Sequence, residues 1–562
     1  MLSDKKLRDI LVKENYLAKE DADKGLALAK DYGNVLEETL VTEGLITKDL
    51  LGQAVAEYFK VDFLNLSKVR PEANIVKLIP ETMSKSKEIA LIKDNGRELL
   101  LGMVEPDNKT IANLVKKKTG RNLKIFFMLH HDLEEVWALY RNNLADEFKN
   151  ILKILGSSKT SEEDKENATM AIVDTLLRHG NDSKASDIHI EPYNKKVIVR
   201  FRIDGVMHDV LEINKKFFEP IVSRIKIMAK MRTDEHRAAQ DGKLRYDLGD
   251  GWFDVRVSIV PIVEGENIVL RLLASSNKRI GLTNLGLSAR DLKKVKHAIG
   301  RPHGMILVTG PTGSGKTTTL YAVLTILNKT DVHIATIEDP VEYNIEGVSQ
   351  IQVDAKTNLT FANGLRAIVR QDPDIIMVGE IRDKETANIA VNSALTGHLV
   401  LSTLHTNDAP TTLPRLIDME VEPFLVASTV NLIIAQRLIR RNCEKCRTSY
   451  KITSEEKTII DNEPMIQELL KARGVKDLSK LNLYRGRGCN VCGNTGFVGR
   501  FGIFEVMEMS DEIREMVTDK ASSGQIMKVA RQAGMTSMLE DGLDKVFSGT
   551  TTLDEVLKAT RG

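Results

Sequence analysis

No run of eighteen apolar residues occurs anywhere in this 562-residue chain, which excludes a membrane-spanning helix of the usual kind. Net charge is nearly absent as well. The 80 Lys and Arg are set against 79 Asp and Glu, so overall charge drives no nucleic-acid surface. A basic strand studded with aromatics, the kind that tracks single-stranded nucleic acid, is also missing. That absence counts against a helicase or recombinase. The opening "MLSDKKLRDI" turns charged and amphipathic at once and lacks the apolar core of a secretory signal. The expectation is a cytoplasmic protein that works at a membrane only through partners. At this length roughly three to four domains are expected.

Cysteine is scarce, four in all, but the four fall into two pairs: Cys443 and Cys446 in "CEKC", Cys489 and Cys492 in "CNVC". Two C-x-x-C pairs with none left over suit a tetrahedral four-thiolate zinc site. Disulfides are disfavoured in a reducing cytosol. Four thiolates leave no open coordination position, so the Zn²⁺ is expected to be structural. It would clip the base of an inserted subdomain, residues 440–500.

What the chain does have is a concentrated phosphate signature. In "TGPTGSGKTTTLYAVL", Gly310, Pro311, Thr312, Gly313, Ser314, Gly315, Lys316, Thr317 and Thr318 fit G-x-x-x-x-G-K-[ST]. The glycines let successive backbone N–H groups turn inward as an anion nest. Lys316 would reach the β- and γ-phosphates, and the Thr317 hydroxyl would ligate Mg²⁺. The apolar run before the loop reads as a buried strand and the run after it as a helix. The helix dipole then faces the anion. The substrate is expected to be a nucleoside triphosphate.

Three later strands each deliver polar groups at their ends. "HIATIEDPVEY" carries Glu338, Asp339 and Glu342; "DIIMVGEIRD" carries Glu380; "TGHLVLSTLHTND" is bracketed by His398 and His405. In open α/β sheets the C-terminal strand ends meet at the ligand crevice. A water-orienting carboxylate, a magnesium-shell carboxylate and a sensor are what in-line attack on a γ-phosphate requires. A small-molecule kinase would also need an acceptor pocket and lid, and no such signal is found.

Upstream, strand alternation puts Val197, Val199, Phe201 and Ile203 on one face and Arg200 and Arg202 on the other. "FDVRVSIVPI" and "IVLRLL" repeat the pattern with Arg256 and Arg271 outward. Such arginines are usually just solvated, but here a phosphate-binding domain follows directly. At the start, "LRDILVKENYLAKEDADKGLALA" from Leu7 aligns with "LEETLVTEGLITKDLLGQAVAEY" from Leu36, each copy a helix, a turn and a helix. Polar, small "GSSKTSEEDKEN", Gly156 to Asn167, reads as a linker. The expected division is 1–150, a linker at 151–167, an arginine-bearing domain at 168–280 and an ATPase domain at 281–562.

Taken in order, the phosphate loop, the acidic strand ends and the histidine strand resemble the secretion ATPase superfamily that powers type II secretion and type IV pilus assembly. "SDIHIEP", "FRIDG", "QDGK", "DVRVS", the tetracysteine and "GMTSMLEDGLDKVFSGTTTLDEVL" resemble it too. The resemblance implies an α/β fold: a RecA-like P-loop ATPase core, a PAS-like α/β domain before it, and a helical plus α/β N-terminal region. It also implies a homo-hexamer at an inner-membrane platform protein with a cytoplasmic adaptor. In that pattern Glu338 is the general base, Glu380 lies in the magnesium shell and His405 belongs to the histidine box. Arg256 and Arg271 close onto the γ-phosphate, while Arg366, Arg370 and Arg487 serve the nucleotide pocket or subunit contacts. Some members bind cyclic di-GMP through the N-terminal region, using a basic residue, Leu and Gly at each copy's start and a Gly at the turn. Here the copies open on "KLRD" and "VLEE", and Asn15 replaces the first turn glycine while Gly44 keeps the second. A docking module is therefore expected there, with cyclic di-GMP disfavoured.

Overall fold

The computed structural model describes residues 3–32, 36–42, 45–66, 69–140, 161–248, 252–273, 281–472, 481–489 and 491–561, with isolated positions from 148 to 154. The N-terminal repeat forms two helix pairs, Asp4–Lys13 with Lys19–Tyr32 and Leu36–Thr42 with Lys48–Phe59. Its aligned positions Leu7, Leu11, Leu36 and Leu40 meet in one core, because apolar residues three and four apart share a helix face. Asn15 adopts φ 59°, the left-handed turn that asparagine tolerates nearly as glycine does. Gly44 lies outside the described residues. A four-stranded mixed sheet follows, built from Asp62–Phe63, Leu123–Phe127, Leu99–Met103 and Ile89–Asp94 in that order.

The linker expectation needs correction. From Glu162 the chain is helical, running to Asp182 with Ser161 as its cap, while residues 155–160 lie outside the described set. The acidic first turn of "SEEDKEN" suits a helix start, and that signal outweighs its polarity. Phe148 and Ile151 also pack into the next domain's core, so that domain recruits residues from before position 168.

That domain is a six-stranded antiparallel sheet. Its order is Val206–Asn214, Lys196–Ile203, Ala185–Pro192, Gly265–Leu273, Trp252–Ile262, Gln240–Asp247. Val197, Val199, Phe201, Val255, Val257 and Ile259 line its inner face and bury against the helices Glu162–Asp182 and Phe218–Met228. The outer face is left polar, as period-two alternation dictates.

The third sheet has seven strands. Their order is Val348–Gln352, Ile334–Glu338, Ile375–Val378, Leu399–Leu404, Gly304–Thr309, Val430–Asn442, Phe497–Glu508, and only the last is antiparallel. Separate apolar cores cover its two faces, which explains the near-continuous apolar strands. Between its last two strands sit a two-stranded hairpin, Arg447–Lys451 with Asn482–Gly486, and two helices. Among the described residues no helix is long and apolar enough to cross a membrane.

Candidate active site

The phosphate loop leaves the Gly304–Thr309 strand and enters the Lys316–Leu327 helix, as the sequence pattern required. Gly310 has φ 142°, and a Cβ there would stand 2.5 Å from the Gln436 carbonyl and 2.7 Å from Ser314 Oγ. Only glycine fits that approach. Lys316 Nζ donates to the carbonyls of Gly310 at 2.8 Å and Pro311 at 3.1 Å. Burial lowers its pKa and nearby Glu380 opposes that shift. Gln436, from the adjacent strand Val430–Asn442, fixes the loop twice. Its amide donates to Ser314 O at 2.7 Å and its carbonyl accepts from Thr319 Oγ1 at 2.7 Å. Sequence reading missed Gln436, although an amide closing the apolar run "LIIAQ" was a usable signal. Ser314 Oγ is buried without a partner, an unspent hydroxyl inside the nest that fits an anion-binding loop.

Strands 304–309, 334–338, 375–378 and 399–404 lie side by side in parallel, so their C-terminal ends form one edge. Glu338, Glu380 and His405 all stand there. Glu338 is 2% exposed and accepts from Tyr321 Oη at 2.5 Å, Thr336 Oγ1 at 2.7 Å and Gln350 Nε2 at 3.1 Å. Burial, with the Glu338 charge beside it, pushes the Tyr321 phenol up, so Tyr321 stays a donor. Neither Tyr321 nor Gln350 was singled out from sequence. Glu380 bonds to Arg382 Nη2 at 2.5 Å and lies 3.3 Å from His405 Nε2. Arg382 also reaches Asp339 at 3.5 Å. His398 stays with the Ser393 carbonyl at 2.9 Å, a local backbone contact.

Across from this edge stands the outer face of the six-stranded sheet. Arg256 Nη2 donates to Val341 O at 3.0 Å and lies 3.5 Å from Glu342 Oε2, while its buried Nε has no partner. Arg271 Nε donates to Asp187 at 3.0 Å. A cleft of 650 Å³ lies between, lined by Arg256 and Arg271 on one wall and Asp339 and Pro340 on the other. Arg366, Arg370 and Arg487 are elsewhere. Arg366, on the exposed face of the helix Phe361–Val369 that Arg370 caps, pairs with Glu385 of another helix, and Arg487 donates to Thr448 at 3.2 Å beside the cysteines. Among the described contacts none of these three touches the Lys316 loop.

The four cysteines converge. Sγ separations are 3.7 Å for Cys443–Cys489, 3.7 Å for Cys489–Cys492 and 3.9 Å for Cys446–Cys492. All four sulfurs lie within 4.8 Å of one another. A tetrahedron with metal–sulfur bonds of ~2.3 Å has edges of about 3.8 Å, so the set fits a tetrahedral cation. Burial raises the Cys492 pKa, but the N–H groups of Cys489 and Gly496, together with the Cys489 and Cys446 thiols, outweigh it and bring the thiol down to about 7.

Comparison with known proteins agrees with this geometry. A family model described as type II/IV secretion system protein matches residues 161–558, and the MshEN domain matches residues 59–144. The type IV pilus assembly ATPase PilB of Myxococcus xanthus is 39% identical over 568 residues, covering 99% of each chain. Type II secretion system protein E of Pseudomonas aeruginosa is 45% identical over 400 residues, 71% of this chain and 77% of that one. The ATPase DotB of Legionella pneumophila superposes with a TM-score of 0.50 at 20% identity, over 70% of this chain and 96% of that one. At that identity the likeness speaks for the fold alone, a RecA-like α/β core. The chain belongs to the type II/IV secretion system protein family and is one of its ATPases.

Proposed function

We propose that this ATPase drives type IV pilus assembly, extruding pilin-type subunits as a cytoplasmic hexamer docked on an inner-membrane platform and its adaptor. One observation carries the motor reading: an arginine-bearing domain faces the phosphate edge of the ATPase sheet across an open cleft. When ATP occupies the loop, Lys316 turns from the Gly310 and Pro311 carbonyls to the β- and γ-phosphates. Arg256 and Arg271 then close onto the γ-phosphate, and its loss on hydrolysis releases them. Charge is thereby converted into rigid-body rotation. The antiparallel sheet with its helices on one face supports the PAS-like reading of that domain.

Thr317, with Glu380 behind it, would hold Mg²⁺, which supplies positive charge to the β- and γ-oxygens. His405 would report on Glu380. For the water-orienting carboxylate the geometry favours Glu342 over Glu338. Three donors already engage the buried Glu338, whereas the Glu342 side chain is 42% exposed and close to Arg256. Glu338 instead holds Tyr321 and Gln350 in place beneath the turn. Arg366, Arg370 and Arg487, remote from the loop in this chain, suit contacts between subunits. The N-terminal region suits docking.

The four thiolates would hold a structural Zn²⁺. Protein purified without chelators is expected to carry about one zinc per chain. Cys489→Ser should loosen the segment between the pairs under limited proteolysis more than it weakens ATP binding. Metal analysis finding no zinc would refute the site.

Similarity to a pilus assembly ATPase over nearly the whole chain supports the pilus reading, and similarity to type II secretion proteins, one over a like span and one at higher identity over a shorter span, supports a second. A clean deletion scored for surface pili, DNA uptake and protein secretion separates them. Loss of pili with secretion intact is expected. The reverse would assign the chain to type II secretion.

A further inference from the structure

Cross-strand register on the outer face of the six-stranded sheet aligns five charged residues in one row. Arg202 stands opposite Asp187, Asp187 opposite Arg271, Arg271 opposite Arg256, and Arg256 opposite Lys243. Three consecutive members, Arg271, Arg256 and Lys243, are cations. Like charges directly opposite one another destabilise a sheet pair, so the row carries a cost unless an anion offsets it. The single acid, Asp187, sits between the first two arginines, 3.0 Å from Arg271 and 3.4 Å from Arg202. Glu342 serves Arg256 at 3.5 Å.

Lys243 has no such partner: among the described residues its side chain makes neither a hydrogen bond nor an ion pair. The acids around it are engaged or displaced. Asp254 is held by Arg245 at 2.9 Å, Asp339 lies 3.5 Å from Arg382, and Asp241 stands one row along, opposite Ser258. Lys243 lines both clefts that flank Arg256, the one of 650 Å³ against Asp339 and Pro340 and one of 560 Å³ against Val341 and Glu342. A solvated lysine on an exposed strand is ordinary. One that extends an arginine row into clefts walled by the Asp339–Glu342 turn at the acidic strand edge, with its charge uncompensated, is placed for an anion.

We infer that Lys243 is a third cation that reads the γ-phosphate, closing on it beside Arg256 and Arg271. This rests on the proposed closure of the arginine face, and the test separates the two. The full-length protein is titrated with a non-hydrolysable ATP analogue and with ADP, as wild type, Lys243→Ala, Lys243→Arg and Arg256→Ala. Lys243→Ala should weaken the triphosphate analogue by roughly tenfold, as for one charged hydrogen bond in a partly solvated cleft, with ADP affinity within twofold of wild type. Lys243→Arg should restore most of the difference. Arg256→Ala should show the same selective loss. If Arg256→Ala loses discrimination and Lys243→Ala keeps it, the Lys243 assignment falls and the closure stands. If both variants keep wild-type discrimination, the closure itself is wrong. Parallel losses of ATP-analogue and ADP binding in Lys243→Ala, with unchanged melting temperature, would assign the lysine to general nucleotide attraction and overturn the γ-phosphate role.

Discussion

Lys316→Ala is expected to reduce ATP turnover to background, a loss of at least about 10²–10³-fold, the range for removing one preorganised group from a charged transition state. The ammonium is the one cationic side chain within the Thr309–Leu324 stretch. It is held ready by two loop carbonyls at 2.8 and 3.1 Å. Nucleotide affinity should fall with it, because the loop would keep only its backbone N–H groups and the helix dipole. The fold should survive, since Gln436 pins the loop from the neighbouring strand independently of Lys316. A phosphate-release assay beside a thermal melt checks both halves. Wild-type hydrolysis in this variant would remove the phosphate-loop assignment.

Glu342→Gln and Glu338→Gln are expected to fail in different ways. The Glu342 side chain is 42% exposed, so its amide should shift stability by no more than about 0.5 kcal/mol. Turnover should nevertheless fall roughly 10²-fold with ATP affinity retained, as when a general base is removed. Glu338 is 2% exposed and accepts three hydrogen bonds. A glutamine there sets its NH2 either against the Tyr321 hydroxyl or against the Thr336 and Gln350 donors, which sit on the other oxygen. Leaving one such buried group unsatisfied costs about 1–3 kcal/mol, so that variant should melt lower, and any loss of turnover should accompany a displaced turn. Normal turnover in Glu342→Gln, with a stable but inactive Glu338→Gln, would return the base to Glu338.

Much of this site was legible in the sequence because local rules determine it. A glycine-framed loop between an apolar strand and a helix has few alternative uses. Polar residues after buried parallel strands must arrive at one edge once those strands pair. Paired C-x-x-C motifs likewise brought four sulfurs within 4.8 Å. What stayed hidden depends on register and on distant elements. Gln436 lies 122 residues from the Ser314 carbonyl it binds, and no local pattern connects the two. Which of Glu338 and Glu342 faces the cleft depends on Thr336, Tyr321 and Gln350, and the strand pattern alone treats both acids alike. The row joining Arg271, Arg256 and Lys243 exists only through strand pairing. The start at Glu162 was missed because a polar, acidic helix cap and a polar linker share one composition.

The central claim is that the arginine-bearing domain moves against the ATPase domain according to whether a γ-phosphate is present. Tyr193 on the former and Leu395 on the latter are 42% and 50% exposed, so spin labels can be carried there by chemistry that avoids the four thiols. Pulsed distance measurements should give different distributions with a non-hydrolysable ATP analogue and with ADP, and Arg256→Ala should hold the ADP distribution with either ligand. One distribution common to both nucleotides in the otherwise unmodified chain would contradict the claim, leaving an ATPase whose neighbouring domain does not respond to the phosphate it faces.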